Sequence, residues 1–538
     1  MTASSTLHRY KSLALVAGLL TFATVSAQDI SSEYATSIRA DELKKHLSVI
    51  AHDSLEGRAT GSAGQKKAAA YVASFYRQYG LKPAATGADG QPSFFQTYNL
   101  YRGAWETAYL KKGSSRFELN QDFYIDGLAN FPNEESISAI FAGYGISESV
   151  YNDYENADVS GKIVIVLEGE PTRPDGGFLL TGTDENSKWG RPRGWEEKAK
   201  LAVGKGARAL LVISQKNEEA FGREIQRRAS MAPRVRRLSL RQEETPAQGF
   251  AAFTVPGEVA AKLSGISEKK LLRAKNRISK TGKPVKYING DRIEVLARRQ
   301  SEVVPTENVA ALLEGSDKKD EIVVISAHLD HIGISSDGQI NNGADDDGTG
   351  TVALLELAEA FSKAKAAGHG PRRSILFLNV TGEEMGLLGS EFYSENPLFP
   401  IGSHVADLNI DMIGRVDEAH QNNPDYVYLI GSDKLSSELH AISEAANARY
   451  SRLQLDYTFN DPADPNRFYY RSDHYNFAKH GIPVIFYFTG VHPDYHRPGD
   501  DVEKILFDRQ AKIVKLIFHT AWDVANREER IKVDSNKP

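Results

Sequence analysis

The second half of the sequence alternates short apolar runs with longer amphipathic segments. The amphipathic segments, such as 351–366 and 435–450, have the spacing of helices. The apolar runs predict buried strands at 321–327, 374–380, 405–410 and 482–488. Near-continuous apolar strands that alternate with helices are typical of a mixed α/β fold with a mostly parallel sheet covered by helices.

The first half of the sequence has a different pattern. Residues 40–79 predict a helical segment, interrupted by a turn-rich stretch at 56–61. Between 106 and 290, short β-rich runs alternate with Gly, Pro, Asn and Asp, which predicts a separate β-rich unit inserted in the chain. The arginine-rich stretch 223–241 is interpreted as a solvated loop.

Residues 1–27 have the features of a secretory signal peptide. Arg9 and Lys11 precede the apolar run 13–25, and Val25-Ser26-Ala27 supplies small residues where a signal peptidase would cut. We therefore expect an exported protein, periplasmic or secreted, with no transmembrane anchor after removal of the signal.

The composition limits the partners and the metal ligands that the protein can have. A chain of 538 residues with a net charge of −6 predicts more than one domain and does not favour nucleic acid as a partner. The sequence contains no cysteine, so disulfides and thiolate ligands are excluded. Any bound metal must therefore use His, Asp and Glu.

Four short motifs follow the predicted strands or lie in adjoining loops, where open α/β sheets bind their ligands. The motifs are His328-Leu329-Asp330-His331, the run Asp345-Asp346-Asp347, Thr381-Gly382-Glu383-Glu384, and the pair Asp411 and His496. A His-x-Asp motif lets an imidazole bind a metal while the carboxylate orients its ring. Adjacent carboxylates repel one another unless a cation or a helix N-terminus stabilises them.

Two other interpretations of the aspartate run are possible. Asp345, Asp347 and Glu356 have nearly the spacing of a calcium-binding EF-hand loop, but no helix precedes them. Gly348-x-Gly350-x-x-Ala353 imitates a dinucleotide fingerprint, yet the acidic run beside it would repel a pyrophosphate.

Taken together, the motifs predict a two-metal hydrolytic site. Two histidines and three carboxylates suit two divalent ions that share one bridging carboxylate. Glu383 is then left over as a general base that takes a proton from a water held between the ions.

These motifs resemble those of metallopeptidase family 28, the two-zinc aminopeptidases related to glutamate carboxypeptidase and the transferrin receptor. The resemblance covers most of the chain after the signal, including HLD at 328–330, GADDDG at 343–348 and YHRPGD at 495–500. It implies a zinc-exopeptidase-like fold, two Zn²⁺ ions and peptide substrates. By this resemblance His328 and Asp411 would hold one zinc, Glu384 and His496 the other, and Asp346 would bridge them.

The resemblance also implies roles for four further residues. Asp330 would orient His328, and Glu383 would deprotonate the water and protonate the leaving amine. Tyr495 matches a tyrosine that stabilises the oxyanion in some members, and Arg471 matches a substrate-contacting arginine. A structural ion pair with Asp473 is the alternative for Arg471.

The β-rich insert resembles a protease-associated domain, with a core at about 136–265. The expected organisation is a signal at 1–27, peptidase parts at 28–105 and 291–538, and the insert at 106–290.

The resemblance leaves three alternatives to an aminopeptidase. A carboxypeptidase would require a free α-carboxylate on its substrate instead of a free α-amine. A non-catalytic transferrin-receptor-like protein would have lost metal ligands, and a glutaminyl cyclase would use one zinc and lack the insert.

Overall fold

The structure of the protein is a computed structural model that describes residues 30–127, 131–235, 238–242, 251–335 and 337–536. The chain forms two compact units. The first unit contains Met1–Leu100 and Val304–Pro538, and the second contains Tyr101–Val303. The signal-like segment 1–27 lies outside the described residues.

The first unit is built on a mixed sheet whose central strands are parallel. Lys318–His328 pairs in parallel with Arg373–Val380 on one side and with His404–Ile410 on the other. Val484–Phe488 extends this parallel run beyond His404–Ile410. Three of these strands are buried throughout, and Lys318–His328 is buried from Ile322 onward, which explains why their sequences are mainly apolar without polar alternation.

Outer strands and helices complete the first unit. Antiparallel neighbours flank the parallel run, and apolar side chains from helices pack on both faces of the sheet. The outer strands are Tyr426–Ile430, Gln454–Asp456, Lys82–Pro83 and the end of Ile288–Leu313. The helices are Ala40–Ile50, Ala63–Gln78, Gly350–Ala366, Leu388–Glu395, Ser437–Ala446, His474–Ala478 and Phe507–Asn526. The predicted mixed α/β fold is confirmed.

The second unit contains its own parallel strands. Ile163–Leu167 pairs in parallel with Phe131–Phe141 and with Ala209–Ile213, and Ala251–Val255 follows in parallel. This unit also contains most of the strand Phe95–Lys112, the strands Ser115–Glu118 and Tyr124–Gly127, and the first part of Ile288–Leu313. Its helices include Gly194–Gly204, Glu218–Val235, Gly257–Ser264 and Glu268–Thr281.

The interpretation of 223–241 as a solvated loop was wrong for most of its length, because the helix Glu218–Val235 occupies it. Phe221 and Ile225, one helical turn apart, form a small buried cluster with Tyr124. Ion pairs at i,i+4 spacing, such as Glu224 with Arg228, lie along the same helix. The charge run therefore covers one face of an amphipathic helix.

A membrane-spanning helix is not found among the residues that the structure describes, since none of their helices is both long enough and apolar enough.

Candidate metal centre

The predicted metal ligands meet at the carboxyl edge of the parallel sheet. His328 is the last residue of its strand, and Asp411 directly follows the neighbouring strand, which ends at Ile410. Glu384 and His496 lie in loops that leave the two other parallel strands at the same edge. The sheet topology thus brings together residues that are far apart in sequence.

One group of candidate ligands surrounds His328. Its Nε2 atom lies 3.2 Å from Oδ1 of Asp346 and 3.5 Å from Oδ1 of Asp411. The other ring nitrogen, Nδ1, lies 3.0 Å from the backbone oxygen of Asp330. Because a carbonyl only accepts hydrogen bonds, Nδ1 carries the proton and the lone pair of Nε2 faces the two carboxylates. This is the tautomer that binds a metal through Nε2.

A second group lies on the other side of Asp346. Nε2 of His496 is 3.1 Å from Oδ2 of Asp346 and 3.0 Å from Oε2 of Glu384. A further imidazole joins this group, since Nδ1 of His331 is 2.8 Å from Oε1 of Glu384 and 3.7 Å from Oδ2 of Asp346. The two oxygens of Asp346 therefore face different groups, as a bridging carboxylate requires.

The two groups fit divalent metal ions. His328 with Asp346 and Asp411, and His331 with Asp346 and Glu384, each offer ligand atoms within 4.8 Å of one another. Ligands at about 2.0–2.1 Å in tetrahedral geometry are separated by roughly 3.3 Å, close to the distances found here. The buried atoms Nε2 of His328, Nδ1 of His331, Oδ2 of Asp346 and Oε1 of Glu384 have no hydrogen-bond partner among the described residues. A cation in each group would satisfy them.

The three adjacent aspartates point in different directions. Asp347 accepts backbone N–H groups of His328, Gly350 and Met412. Asp345 accepts the N–H group of Gly414 at 2.6 Å. Only Asp346 faces both ligand groups, so the run does not form the converging oxygen shell of an EF-hand.

Arg58 joins the loops that carry the ligands. Its guanidinium is fully buried and donates hydrogen bonds to four backbone oxygens, those of Ile50, Leu329, Asn342 and Gly343. Leu329 follows His328, and Gly343 precedes the aspartate run, so one side chain fixes both segments. No sequence pattern indicates this role, because Arg58 lies in a turn-rich stretch far from either motif.

Asp330 supports the site in two ways. Its backbone oxygen holds the ring of His328, while Oδ1 of its carboxylate lies 4.0 Å from Nδ1 of that ring. The carboxylate instead accepts the hydroxyl of Thr60 at 2.6 Å and the N–H group of Glu383 at 3.3 Å. The contact to His328 thus runs through the backbone, and the side chain positions the loop of Glu383.

Glu383 lies beside both groups without joining either. Burial, reinforced by the carboxylates of Glu384 and Asp411, raises the pKa of Glu383 well above its ordinary value. Glu383 lines a cavity together with Asp346 and Asp411. A carboxylate in this position can exchange a proton with a molecule bound in the cavity.

Tyr495 and Arg471 line the same cavity. The ring of Tyr495 stacks on His496 with centroids 3.9 Å apart. Burial raises the pKa of Tyr495 well above its ordinary value, so its hydroxyl keeps its proton and can donate a hydrogen bond. The guanidinium of Arg471 is exposed and lies over the ring of Phe468 at 5.0 Å. Among the described residues, Arg471 has no ion pair with Asp473, whose carboxylate accepts the hydroxyl of Ser390.

The remainder of the cavity wall is apolar. It is formed by Met412, Phe468, Phe486, Phe488 and Val491. An apolar side chain of a bound molecule would bury its surface there, next to the carboxylates.

Two parts of the chain match known protein families. Residues 308–521 match the model of peptidase family M28, and residues 133–247 match the model of the PA domain. In these two parts the chain is similar to peptidase family M28 and to the PA domain. The M28 match includes all five predicted ligands.

Curated relatives share part of this chain. A probable leucine aminopeptidase of Arthroderma otae is 30% identical over 224 residues, which are 40% of this chain and 57% of that protein. A probable leucine aminopeptidase of Arthroderma benhamiae is 25% identical over 320 residues, covering 58% of this chain and 81% of that protein. The chain therefore spans little more than half the length of the first of these relatives. Among solved structures, an aminopeptidase from Aneurinibacillus sp. strain AM-1 is 17% identical with a TM-score of 0.49, covering 94% of this chain and all of that one.

Replacing Arg58 tests its role in joining the ligand loops. Arg58→Ala leaves four buried carbonyl oxygens without their donor, and each such loss costs about 1–3 kcal/mol. We expect the free energy of unfolding to fall by about 3 kcal/mol or more, measured by chemical denaturation. Arg77→Ala, which removes an exposed arginine of the helix Ala63–Gln78, is the control and should change stability by less than about 1 kcal/mol. Equal effects of the two substitutions would contradict the role of Arg58.

Proposed function

We propose that the protein is an exported zinc-dependent aminopeptidase that removes N-terminal residues from peptides. The observation that carries the proposal is the position of Asp346, whose two oxygens face two separate groups of metal ligands beside Glu383. His328, Asp346 and Asp411 would hold one zinc, and Asp346, Glu384 and His496 the other. Relatives named leucine aminopeptidase and aminopeptidase Y support this activity. The proposal of export rests on the sequence pattern of residues 1–27.

The chain's own residues supply the proton transfers. When bound, zinc at such a pair of sites would polarise the scissile carbonyl and lower the pKa of a water molecule. Glu383, which lines the cavity, would accept the proton of the attacking water at its carboxylate and deliver it to the leaving amine. The hydroxyl of Tyr495, which lines the same cavity, would donate a hydrogen bond to the oxygen that becomes negative.

The charges around the cavity favour recognition of an amine. Asp346, Glu383 and Asp411 line it, and charge-assisted hydrogen bonds from carboxylates suit a protonated α-amine. Among the described residues that line this cavity, Arg471 is the one cation. Arg415, another cation nearby in sequence, is paired with Asp494 at 3.0 Å. A carboxypeptidase would need cations such as these to bind the terminal carboxylate of its substrate. Because Arg415 is already paired, only Arg471 of these two supports that alternative.

The complete ligand set also argues against a non-catalytic receptor. The apolar wall formed by Met412 and the phenylalanines supports a preference for peptides with an apolar first residue.

The role of Glu383 is tested by Glu383→Gln, which keeps the shape of the side chain but removes its basicity. We expect turnover of a leucyl peptide to fall about 10²–10⁴-fold, because general-base catalysis contributes that much. Zinc content should not change, since the five ligands remain. Glu418→Gln, at an exposed position in the first unit, is the control and should leave turnover unaffected. If Glu383→Gln turns over like the parent protein, Glu383 is not the base.

The direction of cleavage is tested with one leucyl peptide in three forms: unmodified, N-acetylated, and C-terminally amidated. Acetylation removes the positive charge that the carboxylates recognise and adds bulk, so we expect hydrolysis of the acetylated form to be lost. The amidated form should be cleaved like the unmodified peptide. Cleavage that survives acetylation but fails on amidation would establish a carboxypeptidase instead.

A further inference from the structure

His331 lies in the metal centre although no metal role follows from the motif that contains it. Its side chain is fully buried, and neither ring nitrogen has a hydrogen-bond partner among the described residues. A buried imidazole without partners loses the hydrogen bonds it would make in water, which costs free energy. The position is therefore unfavourable unless something in the site binds the ring.

The surroundings of Nδ1 of His331 indicate what binds it. This atom lies 2.8 Å from Oε1 of Glu384 and 3.7 Å from Oδ2 of Asp346. The three residues offer ligand atoms that all lie within 4.8 Å of one another. Oε1 of Glu384 also lacks a hydrogen-bond partner, although Nδ1 of His331 is close to it. The two atoms approach one another without the alignment of a hydrogen bond, as two ligands of one ion do.

The backbone is arranged to admit this ring. The N–H group of His331 donates to the oxygen of Arg58 at 3.2 Å. A side-chain carbon on Gly343 would lie 2.5 Å from two ring carbons of His331. Gly343 also has a φ of +56°, in the left-handed region that glycine adopts without strain. Only a glycine at this position leaves room for the imidazole.

We infer that His331 is a fourth protein ligand of the zinc ion held by Asp346, Glu384 and His496. This inference rests on the proposed function and extends its set of five ligands. The two zinc positions would then differ. The position with His331 would have four protein ligands, as structural zinc sites do. The position of His328, Asp346 and Asp411 would have three and would keep a place for water, as catalytic zinc sites do.

Zinc titration of the apoprotein in competition with a chelating indicator tests the inference. For the wild-type protein we expect one tight and one weaker dissociation constant. His331→Ala should weaken the tight constant by more than about 100-fold, which exceeds the 10–100-fold effect of residues that only support a ligand. The weaker constant should change by less than about tenfold. The readout is zinc affinity, so it does not depend on turnover.

Two further variants sharpen the titration. His331→Gln keeps a hydrogen-bonding side chain but not the imidazole, so it should lose affinity like His331→Ala. Recovery by glutamine to within about tenfold of the wild type would show a hydrogen-bonding role and overturn the inference. His480→Ala is the matched control, because Nε2 of His480 also lies near a carboxylate, 3.7 Å from Glu395, but at the surface. It should leave both constants unchanged.

A crystal structure of the zinc-loaded wild-type protein provides a test that does not depend on the folding of a variant. We expect a bond of about 2.0–2.1 Å from Nδ1 of His331 to zinc. A structure with two zinc ions in which His331 does not touch either would overturn this inference and leave the proposed function intact. A wild-type protein that binds no zinc would overturn both.

Discussion

Buried carboxylates at one edge of the parallel sheet impose the main physical constraint on this protein. The buried members are Asp330, Asp345, Asp346, Asp347, Asp411, Asp473 and Asp500. Burial disfavours the charged form of a carboxyl group, and it raises the pKa of Asp473 to about 7 and that of Asp500 to about 6. The local structure must therefore supply hydrogen-bond donors or positive charge to these groups.

The carboxylates fall into two classes according to how they are stabilised. Asp345, Asp347 and Asp500 accept backbone N–H groups and thereby fix the loops of the site. Asp346, Glu384 and Asp411 instead face imidazoles, which are neutral when they act as metal ligands. In the second class, bound zinc ions would supply the positive charge that stabilises the carboxylates. The first class fixes the loops of the site, so the two classes depend on each other.

Much of this arrangement could be predicted from the sequence, because apolar strands and the polar residues directly after them carry strong local signals. The predicted strand at 374–380 corresponds to Arg373–Val380, and the predicted helix at 351–366 to Gly350–Ala366. The predicted strand at 482–488 begins later, at Val484. The predicted ligands lie together in the structure, since parallel strands place their carboxyl ends at one edge.

The sequence was less informative where contacts join segments that are distant along the chain. Arg58 stabilises the loops through backbone carbonyls, which leave no pattern in side-chain types. His331 directly follows the His-x-Asp motif. Its position in the sequence does not predict that its ring lies beside Glu384. The helix Glu218–Val235 was not predicted, because its many charged residues indicated a solvated loop and its apolar pair, Phe221 and Ile225, was overlooked.

If divalent cations complete the charge balance of the buried carboxylates, zinc must raise the temperature at which the protein unfolds. The midpoint should be measured after chelation and again with zinc at about one hundred times the tighter dissociation constant. Binding to the folded state alone then adds about 2.7 kcal/mol, which predicts a rise of about 2–4 °C for a chain of this length. Asp346→Asn, which weakens the shared ligand, should respond much less. An unfolding midpoint that is the same with and without zinc would show that the buried carboxylates do not depend on a bound cation.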